Sequence, residues 1–266
     1  YIENLETFSG NWKNSLLDGY GEWHNPTGDW YKGEFKNGKK HGQGIYYSHG
    51  LSLYREGNWE DDIFLSGKDI NGALTVWYEG EFDKDGNRHG YGELWKPSML
   101  VYKGYWYKGK KHGTGCLTTY NQNKKPMIYE GEFKNDNIHG FGLMYNFENS
   151  WNYEGNIIYD ESAKFPLQFH GEGIYENNAF LKKGTWNNNS LTEGTVLDKA
   201  NNDIFKGKFV NGKIEGKGVH IRGSDKGEYI GVFKNGVKNG KGILESNATK
   251  REGIWKDDLL INGEFL

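Results

Sequence analysis

The chain has little of what holds most folds of its length together. One cysteine, Cys116, stands in 266 residues, so no internal disulfide can form, and a reducing compartment is expected. Four prolines leave the turns to be marked by other residues. Only 35% of the residues are hydrophobic and the mean hydropathy is -0.87, lean for a thick, two-layered core. No stretch approaches the ~18 apolar residues of a membrane-spanning helix, and no secretory leader is visible. Neither charge sign dominates: 33 basic residues face 36 acidic ones. The two halves of the chain are each close to balance. A nucleic-acid footprint is therefore not expected, and polybasic attraction to an anionic membrane is weak. Beginning at Tyr1 rather than Met, the chain reads as part of a longer protein.

What is present is glycine, 40 residues, and large rings: 14 Phe, 10 Trp and 18 Tyr. A disordered chain lacks such rings. Many rings beside many glycines suggest a thin β structure in which flat side chains cover bare backbone.

The rings and glycines recur in register. Tyr31-Lys32-Gly33-Glu34-Phe35 sets a frame that returns at Tyr78–Phe82 around Gly80, at Tyr102–Trp106 around Gly104 and at Tyr129–Phe133 around Gly131. It returns again at Phe205–Phe209 and at Tyr229–Phe233 around Gly231, with looser copies at Phe8–Trp12, Tyr54–Trp59, Tyr153–Ile157, Leu181–Trp186 and Arg251–Trp255. The central glycines are Gly10, Gly33, Gly57, Gly80, Gly104, Gly131, Gly155, Gly184, Gly207, Gly231 and Gly253, and most steps are 23 or 24 residues. Eleven units at one period define a repeat protein. About nine residues after each central glycine comes a second half, as in His41-Gly42-Gln43-Gly44, His89-Gly90-Tyr91-Gly92 and His112-Gly113-Thr114-Gly115. Between the halves stand Asn37-Gly38, Asp85-Gly86, Asn211-Gly212 and Asn235-Gly236. These pairs favour a tight hairpin because both residues tolerate positive φ.

This frame resembles the MORN (membrane occupation and recognition nexus) repeat family, over nearly the whole chain from Phe8 to Phe265. The expected fold is all-β: an elongated, single-layer, twisted antiparallel sheet of about eleven tandem hairpins, one continuous array over residues 1–266. The resemblance implies a protein-interaction scaffold, found in cytoskeletal, ciliary or axonemal assemblies. It also leaves open a phospholipid-binding or membrane-tethering module. A third reading is the non-catalytic part of a larger enzyme, since similar arrays precede lysine methyltransferase and lipid kinase domains.

Strand alternation assigns faces. Tyr31, Gly33 and Phe35 share one face with the rings and glycines at Tyr78, Gly80, Phe82, Tyr102, Gly104, Trp106, Tyr129, Gly131, Phe133, Tyr229, Gly231 and Phe233. Gly42, Gly44 and Tyr46 are expected to share a face on the returning strand. Each ring packed on neighbouring glycines contributes roughly 2–3 kcal/mol, against about 0.5–1 kcal/mol lost per strand glycine.

Features that look like chemistry have plainer readings in this frame. The repeated histidines would lie about 9–10 Å apart in adjacent hairpins, too far to share a metal. Their slot holds Asp18, Glu193, Glu215 and Asn239 elsewhere, so a side chain making a local hydrogen bond at the turn is expected. The Gly-x-Gly pairs lack the Lys-Ser/Thr and helix of a phosphate loop. Glu60-Asp61-Asp62 and Asp257-Asp258 fall at turns, and Cys116 reads as a packed small side chain. No catalytic residue, metal site or cofactor is expected.

One pattern exceeds the repeat. Trp30, Tyr47, Trp77, Trp95, Tyr105, Tyr107 and Tyr145 fall on the face opposite the packed rings, and all but Tyr145 lie within residues 30–107. Aromatic residues on an exposed sheet face suit partner binding, so the first six are candidate partner-binding residues. The expected partners are other proteins of a large multi-subunit assembly, in the cytoplasm, cytoskeleton or cilium. Three longer spacers, Ser66–Val76, Tyr120–Ile128 and Asp160–Phe169, are further candidates.

Overall fold

The computed structural model describes residues 5–71, 76–97, 99–120, 123–162, 167–247 and 249–265. Among them there is no helix. Twenty-two strands, about eleven hairpins, form a single open antiparallel sheet that is not closed into a barrel. By its internal contacts the chain divides into two units, Tyr1–Thr119 with Glu132–Asn137, and Tyr120–Gly131 with Ile138–Leu266.

The first unit runs through β1 (Thr7–Lys13), β2 (Leu16–His24), β3 (Trp30–Lys36), β4 (Lys39–Ser48), β5 (Leu53–Glu60), β6 (Ile63–Asn71), β7 (Trp77–Phe82), β8 (Arg88–Lys96), β9 (Met99–Tyr107) and β10 (Lys110–Tyr120). Each pairs with the strand before it. Next come β11 (Pro126–Lys134) and β12 (Asn137–Asn146). The second unit continues with β13 (Trp151–Tyr159), β14 (Leu167–Asn177), β15 (Phe180–Asn187), β16 (Ser190–Asp198), β17 (Asp203–Val210), β18 (Lys213–Ile221), β19 (Glu228–Lys234), β20 (Val237–Ser246), β21 (Thr249–Lys256) and β22 (Leu259–Phe265). From β13 onward each strand again pairs with its predecessor.

Glycine meets glycine at the centre of these pairings: Gly10 faces Gly21, Gly21 faces Gly33, Gly33 faces Gly44, and Gly44 faces Gly57. The reason is steric. A Cβ on Gly44 would overlap the Tyr31 ring, which lies across that backbone. Tyr31 is 0% exposed and donates its hydroxyl to the carbonyls of Glu34 at 3.0 Å and His41 at 3.4 Å. Its ring meets Phe35 and Trp59 edge-on at 5.1 and 5.5 Å, the geometry that the ring quadrupole favours. The same arrangement recurs at Tyr78 with Phe82 and Trp106 and, in the second unit, at Tyr229 with Phe233 and Trp255. Lysine stems thread between the rings: Lys40 Nζ lies 4.5 Å from the Tyr46 centroid and 5.4 Å from that of Trp59. Burial lowers the Lys40 pKa.

Two expectations are corrected. The returning strand does not alternate evenly, because a bulge separates the Gly33–Gly44 pair from the Phe35–Lys40 pair. Gly42 there adopts φ +58° and turns toward Glu34: a Cβ would come within 2.6 Å of its carboxyl, on the side away from Tyr31. Gly42 therefore does not share the face of Gly44 and Tyr46. Asp85-Gly86 does not make a two-residue turn either. It lies in a longer loop closed by the Asp83 amide on the Asn87 carbonyl at 2.9 Å, with the Asp83 carboxylate accepting the amides of Asp85 and Asn87. Tight turns with two positive-φ residues do occur at Asn37-Gly38, Asn211-Gly212 and Asn235-Gly236, and at Asp61-Asp62, Asn135-Asp136, Asn188-Asn189 and Asp257-Asp258.

Candidate interaction surface

The pairing registers decide which side chains meet on the open face. Three residues from each glycine pair, successive strands of the first unit bring Trp30 opposite Tyr47, Tyr47 opposite Tyr54, Tyr54 opposite Ile70, Ile70 opposite Trp77, and Trp77 opposite Trp95. These residues form one unbroken row across β3 to β8. The rings touch along it. Tyr47 lies 4.5 Å from Tyr54 and 6.0 Å from Trp30, while Trp77 and Trp95 stack within 4° of parallel at 5.6 Å. All six members are half-buried, each shielded by its neighbours in the row.

Four of the six candidate residues are thus brought together: Trp30, Tyr47, Trp77 and Trp95. Tyr105 and Tyr107 lie apart, toward the hairpin-turn end of β9. Tyr105 is 52% exposed and packs on Tyr91 at 5.5 Å, and Tyr107 lies between His89 and His112 at 5.4 and 5.7 Å. Between the row and this second cluster runs a line of charges. Lys32 Nζ is 2.6 Å from Glu22 and Lys103 Nζ is 2.7 Å from Glu93, and Lys68 approaches Glu79 at 4.0 Å. The bond from Lys32 lowers the Glu22 pKa, and the Glu22 and Glu93 carboxylates raise those of Lys32 and Lys103. Both ions of each pair stay in solvent. Tyr145 stands in β12 opposite Asn152 and is half-buried.

Tyr54 and Ile70 were not anticipated in the row. Tyr54 reads in sequence as the packing ring of a loose repeat copy, but it precedes Gly57 by three residues rather than two. Arg55 takes the packing position instead, bonded to Asp69 at 3.1 Å and lying over Phe64 and Phe82. A count of residues back from each central glycine would have separated the two. Ile70 belongs to a return strand outside the aromatic frame, and only the β6–β7 register places it. In the second unit the matching row is Leu181, Leu197, Ile204 and Ile221, followed by Glu228, Glu245 and Lys250.

The histidine slot differs from expectation. Nδ1 of His41, His89 and His112 is buried without a hydrogen-bond partner. Acids in the same slot do bond: Asp18 accepts the Asn37 amide at 3.3 Å and Glu215 the Asn235 amide at 2.7 Å. After His41 and His112 the next turn carries its own carboxylate, Asp62 or Asp136, which accepts from the strand instead. Cys116 is half-buried in β10 opposite Lys103, on the face of the charge line and not among the packed rings. The three spacers lie partly outside the described residues, at 72–75, 121–122 and 163–166.

A model of the MORN repeat matches residues 8–30, 31–49, 78–98, 102–124, 129–146, 205–224 and 229–247, more than half of the chain. The chain belongs to the MORN repeat family. Three of the unmatched hairpins carry Arg55, Lys182 or Arg251 where a ring packs elsewhere; the fourth keeps its packing ring, Tyr153, 1% exposed. Among curated proteins, this MORN chain is 26% identical to Alsin of Homo sapiens over 229 residues, 82% of the chain and 13% of Alsin. It is 30% identical to Alsin of Rattus norvegicus and of Mus musculus over 162 residues, 57% of the chain and 9% of each relative. The chain thus spans no more than about an eighth of the length of these relatives.

Proposed function

We propose that this MORN chain is a non-catalytic protein–protein interaction module, acting as a scaffold component of a cytoskeletal or ciliary assembly. The observation that carries the reading is the row Trp30, Tyr47, Tyr54, Ile70, Trp77 and Trp95, continuous across six strands on the open face of the first unit. Trp and Tyr dominate binding energetics because they bury large areas at low entropic cost. The packed face already satisfies the fold through Tyr31, Tyr78 and Tyr102, so folding alone does not account for this second aromatic set. Similarity confined to a small part of much longer proteins fits a module that serves within or beside larger machinery.

The test is assembly size in native extract. A tagged chain is expected to sediment with a large complex, and the Trp77→Ala/Trp95→Ala variant to shift to light fractions while its Tm stays within about 4 °C of the parent. A parent chain that sediments alone, or a variant that stays in the heavy fractions, would remove the proposal.

A further inference from the structure

Six Asn-Gly pairs occur in the sequence. In such a pair the glycine nitrogen attacks the asparagine side chain readily, because glycine carries no side chain to hinder the approach. Asn71-Gly72 lies partly outside the described residues. In Asn239-Gly240 and Asn262-Gly263 the glycine belongs to a strand, opposite Trp255 and Gly253. The other three form two-residue turns of one geometry. Asn37, Asn211 and Asn235 have φ of 51°, 49° and 53°, and Gly38, Gly212 and Gly236 have φ of 80°, 75° and 90°. Local geometry therefore does not distinguish these turns.

Their fastening does. The Gly38 amide donates to the Leu17 carbonyl at 2.8 Å and the Gly236 amide to that of Ile214 at 3.0 Å. The asparagine amides beside them are held by the carboxylates of Asp18 and Glu215, at 3.3 and 2.7 Å. Each of these turns is tied twice to the preceding hairpin. Among the described residues, neither the Asn211 nor the Gly212 amide has an acceptor in the chain. The cause lies in β16. Leu191 stands three residues before Gly194, where Leu17 and Ile214 stand four before Gly21 and Gly218. Thr192 follows Leu191 as Asp18 and Glu215 follow their neighbours, but its hydroxyl donates back to the Thr185 carbonyl at 2.9 Å. Asn211 and Gly212 are both exposed, and a Cβ on Gly212 would meet nothing within 4 Å.

We infer that Asn211-Gly212 is a site of spontaneous main-chain modification, at which the asparagine converts to aspartate and isoaspartate. The Gly212 nitrogen bonds to Asn211 Cγ and gives up its proton, while the Cγ–Nδ2 bond breaks and ammonia leaves. Water then opens the cyclic imide at either carbonyl. Opening at the main-chain carbonyl leaves isoaspartate, which adds one methylene to the path of the chain and a negative charge to the turn. Attack needs the Gly212 nitrogen free to move onto Cγ. Local opening supplies that freedom at least cost where fewest hydrogen bonds hold the turn. The site is separate from the aromatic row, so either assignment can fail while the other holds.

The test keeps the full chain in mildly alkaline buffer and follows isoaspartate at residues 37, 211 and 235 by electron-transfer fragmentation in a mass spectrometer. The same chain in guanidinium chloride gives the rate of each site without the fold. Relative to those rates, Asn211 is expected to convert at least about tenfold faster than Asn37 or Asn235, the scale of one lost hydrogen bond. Glu215→Ala unties the Asn235 amide and is expected to speed conversion there about threefold or more, with Asn37 unchanged. Equal relative rates at the three turns overturn the inference. So does a folded chain that keeps Asn211 intact while the unfolded chain converts, or a Glu215→Ala chain whose Asn235 rate does not move.

Discussion

Asp62 and Lys40 join adjacent hairpins by two hydrogen bonds of opposite direction. The Lys40 amide donates to Asp62 Oδ1 at 3.0 Å, and the Asp62 amide donates to the Lys40 carbonyl at 3.1 Å. The same clasp forms between Asp136 and Lys111, Asp258 and Lys238, and Asn189 and Phe169. Where the turn ends in glycine, the acceptor moves to the preceding hairpin: Asp18 takes the Asn37 amide and Glu215 the Asn235 amide. These six stacking steps are thus fastened from one side or the other.

The clasp is expected to be transferable. Asp62→Gly should cost about 1–2 kcal/mol in urea unfolding, since a hydrogen bond to a carboxylate is lost. Adding His41→Asp, which recreates the Asp18 and Asn37-Gly38 pairing, should recover most of that loss. A double variant no more stable than Asp62→Gly would count against the account.

His89 precedes the Lys108-Gly109 turn, which has no side-chain acceptor in its second position, and its Nδ1 is buried without a partner. His89→Glu places a carboxylate as at Glu215 and is expected to stabilise the chain by about 1 kcal/mol. Thermal melts at pH 7 check the sign.

Two glycines separate packing from backbone strain. Gly44→Ala must displace the Tyr31 ring, and a loss above about 3 kcal/mol is expected, the scale of core disruption. Gly212→Ala meets nothing within 4 Å and bears only its φ of +75°, for about 1–2 kcal/mol. Equal losses in chemical denaturation would show that Tyr31 does not depend on the bare backbone.

Alkaline stability follows from the buried phenols. Burial raises the pKa of Tyr31, Tyr78 and Tyr102 far above the usual value, and that of Tyr153 to about 12. In the unfolded chain tyrosine ionises near pH ~10. The folded state therefore holds protons that the unfolded state has released, and their contribution is full below about pH 10 and declines as pH rises toward 12. Urea midpoints should fall across that window, and less steeply for Tyr153→Phe. An unchanged slope in that variant would contradict the assignment.

Much of the fold was legible because its rules are local. Strand alternation places Tyr31, Gly33 and Phe35 on one face and Trp30 on the other, and Asn37-Gly38 announces its turn. The misreadings arise at a bulge, at one replaced packing ring and in one loop. The bulge at residues 41–43 breaks the alternation that put Gly42 beside Gly44. Arg55 replaces a packing ring, and with it Tyr54 moves to the open face. Asp85-Gly86 resembles a tight turn, but the Asp83 carboxylate organises a longer loop around it.

By itself the sequence determined the period, the central glycines and the face of most rings, since these follow from residue spacing along single strands. Only the tertiary structure decided the register between strands. Register is a relation between residues distant in sequence, set by Gly-Gly contact and by where each bulge falls. It makes a continuous row of Trp30, Tyr47, Tyr54, Ile70, Trp77 and Trp95.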